Sequence, residues 1–312
     1  MFKNTHLATY MFLMLTVAIW GGTFVAVKII VADVAPLVGA FLRFLLASLC
    51  LIPVLIYKEK STALVSKRDL PLLILLGLSG ITFYNFFFFN GLAMTSSING
   101  GLIIAFSPVL TTVLSPFILG ENLRLRQVLG FVISLSGVIF IISKGSLSLL
   151  ASLQVNKGDI YISAGAFCWS VYSMGGKIAT RKYSPLLSTT YACTLGTFFL
   201  LIAAFPQLQS FSLQQLTYKS MTALIFMGVV ASALSFVWWY DGIKKIGASK
   251  AAIFQNFIPV FSALFSVLIL GEKFKIYHFS GAVLVILGVL ISNQKRNCFF
   301  RLSSVVKNPD HL

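Results

Sequence analysis

Ten long apolar stretches, separated by short connections, leave this sequence few folds to adopt. No charged residue occurs over 7–27 or over 251–270. An α-helix needs about 20 apolar residues to cross a bilayer, and backbone groups in lipid must hydrogen-bond within the segment. The stretches therefore predict membrane-spanning helices. They cover residues 7–29, 36–57, 70–92, 98–119, 125–143, 159–179, 186–205, 218–240, 251–270 and 276–292.

Composition agrees with a protein whose surface mostly faces lipid. Charged residues make up only 10% of the chain, against about 25% in a soluble domain. The net charge of +16 would indicate nucleic-acid binding in a soluble protein. Here most lysines and arginines lie between apolar stretches, where they set orientation and contact anionic lipid headgroups. The lipid bilayer is the expected partner, and nucleic-acid binding is not predicted.

The distribution of positive charge predicts the orientation. With the N-terminus in the cytoplasm and the sides alternating, 17 of the 24 lysines and arginines fall on the cytoplasmic side and six on the other. Arg43 lies inside a stretch. Basic residues concentrate in cytoplasmic loops, so both termini are predicted to be cytoplasmic. Residues 293–312 then form a basic cytoplasmic tail.

The chain repeats itself, with one half over 7–143 and the other over 159–292. Each half contains five predicted helices, an odd number, so the second half enters the membrane from the opposite side. Inverted repeats of this kind are typical of secondary transporters, in which the halves rock around a central site. The recurring residues are Trp20/Trp169, Lys28/Lys177 and Pro36/Pro185 at an offset of 149, and Gly91/Gly242, Pro108/Pro259, Gly120-Glu121/Gly271-Glu272, Gly130/Gly281 and Gly137/Gly288 at an offset of 151.

These residues carry a resemblance to a known family. The run Trp20-Gly21-Gly22-Thr23-Phe24 followed by Lys28, the Pro108 helix ending in Gly120-Glu121, and their second-half copies resemble the EamA-type family of the drug/metabolite transporter superfamily. The resemblance covers about residues 12–292. It implies an all-α integral membrane protein of ten transmembrane helices in two inverted five-helix repeats. It also implies a central cavity, a bacterial inner-membrane location, and export or exchange of amino acids or other small metabolites. The second copy departs from the first at Cys168-Trp169-Ser170.

Arg43 is a lone charge in a stretch without acidic residues. A charge at membrane depth is costly and usually faces the bundle interior or water. Its counterpart at offset 149 is Ala192, so the repeat does not require it. We expect Arg43 to bind a substrate carboxylate or to act in a gate, with snorkelling to the outer interface as the alternative. Lys28 and Lys177 either anchor helix ends or draw anions toward the cavity as gating residues.

The acidic residues indicate the substrate class. Glu121 and Glu272 follow glycines near membrane surfaces, where an ion pair or helix cap is expected and a coupling carboxylate is the alternative. No Asp or Glu lies deep within a stretch. An exporter of lipophilic cations is expected to keep such a carboxylate. The sequence therefore favours substrates with a carboxylate or zwitterionic head, with multidrug export as the alternative.

Polar and aromatic residues inside the stretches are the other cavity candidates. Trp20 and Trp169 recur in mid-span, which favours the cavity over an interfacial aromatic belt. A proline leaves a carbonyl free one turn earlier, so the helices around Pro108 and Pro259 are predicted to form kinked cavity walls. The predicted substrate-binding set is Trp20, Phe24, Arg43, Tyr84, Asn85, Asn99, Trp169, Tyr172, Trp239, Gln255 and Asn256.

Two pairs of glycines predict close helix packing. Gly130 and Gly137 lie seven residues apart, as do Gly281 and Gly288, so each pair occupies one helix face. Small residues on one face let helices approach closely in a membrane. The fifth and tenth stretches are therefore assigned to scaffolding or to a homodimer contact.

Nothing in the sequence predicts a cofactor, a metal site or an enzyme. The histidines are scattered, and no metal-ligand spacing, acid pair, nucleophile motif or P-loop occurs. A membrane scaffold is less well supported because no soluble output domain is present. A channel stays open as an alternative, which saturable and stereoselective flux would exclude. The expected ligand is a small-molecule substrate.

Overall fold

The computed structural model describes residues 3–60, 65–119, 125–146, 156–247, 251 and 254–293. All regular structure in these ranges is helical. Within the described ranges, seven helices are long and apolar enough to cross a membrane, and Ile258–Leu270 and Ile276–Ser292 are shorter apolar helices. The prediction of an all-α integral membrane protein is confirmed. The ten-span, two-repeat arrangement stays a prediction.

The helices follow the predicted stretches, with two internal π-helical segments and with breaks before Pro108 and before Pro259. They are α1 (Lys3–Asp33), α2 (Pro36–Glu59), α3 (Leu70–Leu76), α4 (Tyr84–Met94), α5 (Ser97–Ile104), α6 (Ser107–Leu119), α7 (Leu125–Ile142), α8 (Lys157–Ala179), α9 (Pro185–Leu208), α10 (Tyr218–Ile225), α11 (Ser235–Ile246), α12 (Ile258–Leu270) and α13 (Ile276–Asn293). The π-helical segments Gly77–Phe83 and Phe226–Leu234 connect α3 to α4 and α10 to α11.

The fourth predicted stretch is broken into α5 and α6 just before Pro108. Pro108 has no N–H to donate to the Ile104 carbonyl. The Ser107 hydroxyl instead donates to that carbonyl at 2.7 Å, so the freed acceptor is satisfied within the chain. The predicted kink is thus a complete helix break at residues 105 and 106.

The predicted glycine faces pack against one another within the chain. A Cβ built on Gly130 would lie 2.4 Å from the carbonyl oxygen of Gly288, and one built on Gly137 would lie 2.8 Å from that of Gly281. Only glycine permits this approach, because the facing atoms are backbone. The four residues hold α7 against α13, so this face is already covered within the chain.

Equivalent contacts recur at the two offsets of the repeat. A Cβ on Gly91 would lie 2.8 Å from the Ile162 side chain, and one on Gly242 would lie 2.6 Å from that of Leu13. Gly242 is the offset-151 partner of Gly91, and Ile162 is the offset-149 partner of Leu13. The same interhelical contact is therefore made twice, between different helices.

At the predicted cytoplasmic surface, Asp69 joins the start of α3 to the connection after α8. Its carboxylate accepts hydrogen bonds from Lys182 and, at 2.5 Å, from the Tyr183 hydroxyl. These hydrogen bonds, with the bond from Lys182 foremost, lower the pKa of Asp69 below its ordinary value. A lowered folded pKa stabilises the fold above the ordinary carboxyl pKa, and this contribution is lost as the pH falls through the lowered value.

We expect Asp69→Asn to lower the melting temperature slightly at neutral pH, because the contact is exposed. The difference from wild type should shrink as the pH falls through the carboxyl range, since the wild-type contact is then lost as well. Thermal unfolding in detergent over a pH series measures this. A difference that stays constant at all pH values would show that the charge of Asp69 is not involved.

Candidate functional site

A small central cavity of about 30 Å³ lies where α5 gives way to α6 and just before α12 begins. Helix breaks expose backbone and polar side chains, and in membrane proteins such irregular backbone occurs where it lines a cavity. The lining residues are Trp20, Thr23, Phe24, Arg43, Tyr84, Ile104, Ser107, Trp169, Phe236, Gln255 and Ile258.

Five of the eleven lining residues are aromatic, and their rings pack against one another. Trp20 and Trp169 pack edge to face, with ring centroids 5.1 Å apart. The Trp20 indole N–H donates to the Ala231 carbonyl at 3.0 Å, which fixes its orientation. Tyr84 packs on Trp169 at 5.2 Å. The wall is therefore a preformed apolar surface with few polar groups, as is usual for small-molecule sites.

Arg43 brings a positive charge to this cavity. Its side chain is 2% exposed. Nε donates to the Ser232 hydroxyl at 2.8 Å, and Nη1 donates to the Asn85 amide oxygen at 3.0 Å. Both partners are neutral, and no carboxylate in the described ranges pairs with Arg43. A guanidinium has five N–H donors, so donors remain for an anionic ligand.

Gln255 and Tyr84 supply neutral polar groups to the same cavity. Gln255 is 5% exposed and lines the cavity, and its amide makes no hydrogen bond to the described residues. Tyr84 lies within electrostatic range of Arg43. An unused amide and a buried guanidinium lining the same cavity can together orient a small polar ligand.

Six of the predicted substrate-binding residues line the cavity. They are Trp20, Phe24, Arg43, Tyr84, Trp169 and Gln255. Asn85 does not line the cavity but holds Arg43 in place, because its amide oxygen accepts the hydrogen bond from Arg43 Nη1. Its own Nδ2 donates to the Ile81 carbonyl at 2.7 Å.

The other four predicted residues do not line the cavity. Tyr172 is fully buried and stacks on Tyr240 at 5.2 Å. Trp239 is 2% exposed and packs 5.3 Å from Trp20 as a supporting ring. Asn256 is partly buried, with no described partner for its amide oxygen. Asn99 belongs to a separate polar cluster.

Five lining residues were not predicted, namely Thr23, Ile104, Ser107, Phe236 and Ile258. The repeat offset contains the missing signal for three of them. An offset of 151 pairs Ile104 with Gln255 and Ser107 with Ile258, so both sides of the cavity occupy equivalent positions. Thr23 lies three residues after Trp20 and shares its helix face.

The predicted gating and capping residues lie toward the helix ends. Neither Lys28 nor Lys177 lines the cavity. Lys28 is partly buried and within electrostatic range of Glu272. The Glu272 carboxylate accepts from the backbone N–H groups of Ser97 (2.9 Å) and Ile98 (3.1 Å), which is the contact expected of a cap for α5. Glu121 lies outside the described residues.

Comparison with known proteins assigns the family. The model of the EamA-like transporter family matches residues 7–143 and again residues 156–294. The chain belongs to the EamA-like transporter family. The uncharacterized transporter YyaM of Bacillus subtilis is 35% identical over 92% of this chain and 94% of its own length. An uncharacterized transporter of Archaeoglobus fulgidus is 31% identical over 93% of this chain and 98% of its own.

A protein of known crystal structure has the same fold as this chain. It superposes with a TM-score of 0.66 at 19% identity, covering 91% of this chain and 96% of the other. Family membership and the apolar helices together describe a multi-pass membrane transporter. Within the described residues, no three His, Cys, Asp or Glu side chains converge as a metal site.

Proposed function

We propose that this protein is a secondary transporter that exports or exchanges amino acids or related carboxylate-bearing metabolites by alternating access. The observation that carries the proposal is the buried guanidinium of Arg43 at the wall of the central cavity, with which no carboxylate of the described residues pairs. An intramembrane charge without a protein counter-ion marks a binding site for the opposite charge. Arginine holds carboxylates with paired hydrogen bonds.

The other lining residues fit the rest of such a substrate. Trp20, Trp169 and Phe236 offer apolar surface to a side chain, and Gln255 offers a donor and an acceptor to an amino group or hydroxyl. A zwitterionic head at Arg43 and Gln255, with an apolar or small side chain against the rings, would meet each kind of group in the lining. The cavity of about 30 Å³ has room for about one water molecule, so binding such a substrate requires the surrounding helices to move apart.

Alternating access rests on the proposed ten-helix, inverted two-repeat architecture, which the contacts between the halves support. Ser48 and its offset-149 partner Thr197 share a hydrogen bond of 3.0 Å. Trp20 likewise touches its partner Trp169. Residues meet their own symmetry partners only near a twofold axis. The cavity therefore lies close to the proposed axis, where rocking of the two halves exposes it to each side in turn.

The proposed location is the bacterial inner membrane, with both termini in the cytoplasm. The excess of positive charge on one side of the apolar stretches supports this orientation. A homodimer stays a prediction, and its surface lies away from the glycine faces that α7 and α13 cover within the chain.

Export of lipophilic compounds is the second candidate function. The aromatic wall favours it, because stacked rings bind many apolar molecules without directional contacts. The Arg43 charge disfavours lipophilic cations, so the two candidates differ in the charge of the preferred ligand.

Counterflow in proteoliposomes tests the proposed function. Vesicles containing purified protein are loaded with unlabelled L-amino acids and offered a labelled panel of L- and D-amino acids, nucleosides, sugars and lipophilic cations. We expect saturable and stereoselective accumulation of one class of carboxylate-bearing compound. Accumulation of lipophilic cations alone would favour the second candidate. Flux that is neither saturable nor stereoselective would indicate a channel.

Gln255→Leu is expected to weaken substrate binding and leave the fold intact. Leucine has a volume similar to that of glutamine, and the Gln255 amide makes no hydrogen bond to the described residues. A lost neutral hydrogen bond to the ligand costs about 0.5–1.5 kcal/mol, or roughly two- to tenfold in apparent affinity. The concentration for half-maximal counterflow measures this. An unchanged value would place the ligand away from Gln255.

A further inference from the structure

A second polar cluster lies apart from the cavity, at the predicted outer ends of the helices. Its centre is Asp159, which is fully buried near the start of α8. The Thr95 hydroxyl donates to its Oδ1. The Asn99 amide nitrogen lies 3.4 Å from Oδ1 and 3.5 Å from Oδ2. This burial could not be predicted from the sequence, because Asp159 is the first residue of its apolar stretch.

The cluster continues from Asn99 to α13. The Asn99 amide oxygen lies 2.9 Å from Nε2 of His278. The backbone N–H of Lys275 donates to Nδ1 of the same ring at 2.9 Å. Nδ1 is thus an acceptor, and Nε2 donates to Asn99. The imidazole is neutral in this arrangement, and the hydrogen bonds run in one direction from His278 through Asn99 to Asp159.

The charged groups around this cluster leave Asp159 without a direct cation partner. Lys144, which follows α7, and Tyr277 of α13 lie within electrostatic range of the carboxylate. Lys275 adjoins His278 on the segment before α13, and Glu272 of the same segment caps α5 nearby. No ion pair to Asp159 occurs among the described residues. A buried carboxylate without a paired cation favours its protonated form.

The repeat does not reproduce this cluster. The offset partners of Asp159, Thr95 and His278 are Tyr10, Ile246 and Gln127. None of these can supply a buried carboxylate or an imidazole. The cluster is therefore not a requirement of the repeated fold, and it exists at one side of the membrane only.

We propose that Asp159 is the proton-binding site of the transporter, and that Asn99 and His278 transmit its charge state to α5 and α13. This inference rests on the proposed transport function. A proton from the outer solution binds a carboxylate oxygen and removes the negative charge. The acid then no longer attracts the Asn99 amide, so the link from α8 to α5 and α13 weakens.

The link reaches the substrate cavity through α5. Asn99 and the lining residue Ile104 are five residues apart on this helix, about 7.5 Å along its axis. Loosening the outer end of α5 therefore acts on the cavity wall. Proton binding at Asp159 would favour opening to the outside, which exchanges an entering proton for a departing substrate.

Infrared spectroscopy of the ligand-free protein in lipid tests the proton site without any substrate. Wild type, Asp159→Asn and Asp33→Asn are titrated over pH, and the C=O band of protonated carboxyl groups is followed. Asp33 is the matched control, since it is a carboxylate at the same predicted side that accepts from Thr217 and Ser220. We expect a band titrating above the ordinary carboxyl range in wild type and in Asp33→Asn, and its loss in Asp159→Asn. A titration that is the same in all three proteins would overturn the proposal.

Transport assays test the coupling. A mixture of radiolabelled L-amino acids is used, with and without an inward proton gradient. Asp159→Asn should keep gradient-free counterflow and lose the gradient-driven component, whereas Asp33→Asn should keep both. Retention of the gradient-driven component in Asp159→Asn would refute the coupling role.

Two further outcomes keep the proposals separable. If wild type moves none of the mixture, the proposed function fails, and the infrared titration still decides the proton site. If Asp159→Asn does not fold, Asn99→Ala takes its place, because it breaks the link and leaves the carboxylate. Asn99→Ala should keep the infrared band and lose gradient-driven transport, and retention of that transport would overturn the relay.

Discussion

Arg43→Gln is expected to abolish measurable counterflow of carboxylate-bearing substrates in protein of normal abundance. The variant removes the charge from the cavity and leaves a bound carboxylate buried and unpaired. Truncating one partner of a buried, hydrogen-bonded charge pair costs about 2–5 kcal/mol, or roughly 30- to several-thousand-fold in affinity. Counterflow in proteoliposomes, normalised to folded protein, measures the loss.

Arg43→Lys separates charge from geometry. A lysine keeps the positive charge but has no planar fork to contact Ser232, Asn85 and a ligand together. We expect partial recovery of binding at most. Arg181→Gln is the matched control, because Arg181 is an exposed arginine in the connection after α8. Equal transport by Arg43→Gln and Arg181→Gln would remove Arg43 from the binding site.

Gly130→Ala is expected to destabilise the protein strongly. Its Cβ would lie 2.4 Å from the Gly288 carbonyl oxygen and 2.8 Å from the Ser292 backbone nitrogen. Because backbone cannot rotate away as a side chain does, α7 and α13 must separate. Overpacking costs about 1–3 kcal/mol, and we expect the upper part of that range. Thermal unfolding in detergent measures the change.

Gly165→Ala is the control for the glycine contact. Gly165 lies inside α8, where an added Cβ would meet its nearest neighbour at 3.6 Å, an ordinary contact. Removing a helix glycine there should be neutral or stabilise the fold by up to about 1 kcal/mol. If both variants unfold at the wild-type temperature, the α7–α13 contact does not contribute to stability.

The helices and their close contacts were predictable because they depend on local patterns. Apolar length predicted the spans, and the spacing of Gly130 and Gly137 predicted a close-packed face. The sequence left open what that face meets, because a glycine pair is equally suited to a neighbouring helix and to a second copy of the chain. The partner, α13, depends on tertiary packing.

The parts of the site that could be predicted are those built from residues that are costly to bury unless they have a function. Arg43 stood out for that reason, and Trp20 and Trp169 through their recurrence. Tyr172 and Trp239 were predicted with the cavity residues and lie outside the lining in this structure, because an aromatic residue in mid-span is equally suited to the wall and to the layer behind it. Asp159 was missed because its burial comes from the packing of four helix ends.

The most direct test of the central claim uses pairs of ligands that differ only in the carboxylate. Counterflow by wild type and Arg43→Gln is measured with an L-amino acid and with the amine of the same side chain that lacks the carboxyl group. If the Arg43 cavity binds carboxylates, wild type accumulates the acid far more than the amine, and Arg43→Gln loses that preference. Equal transport of acid and amine by wild type would contradict the account.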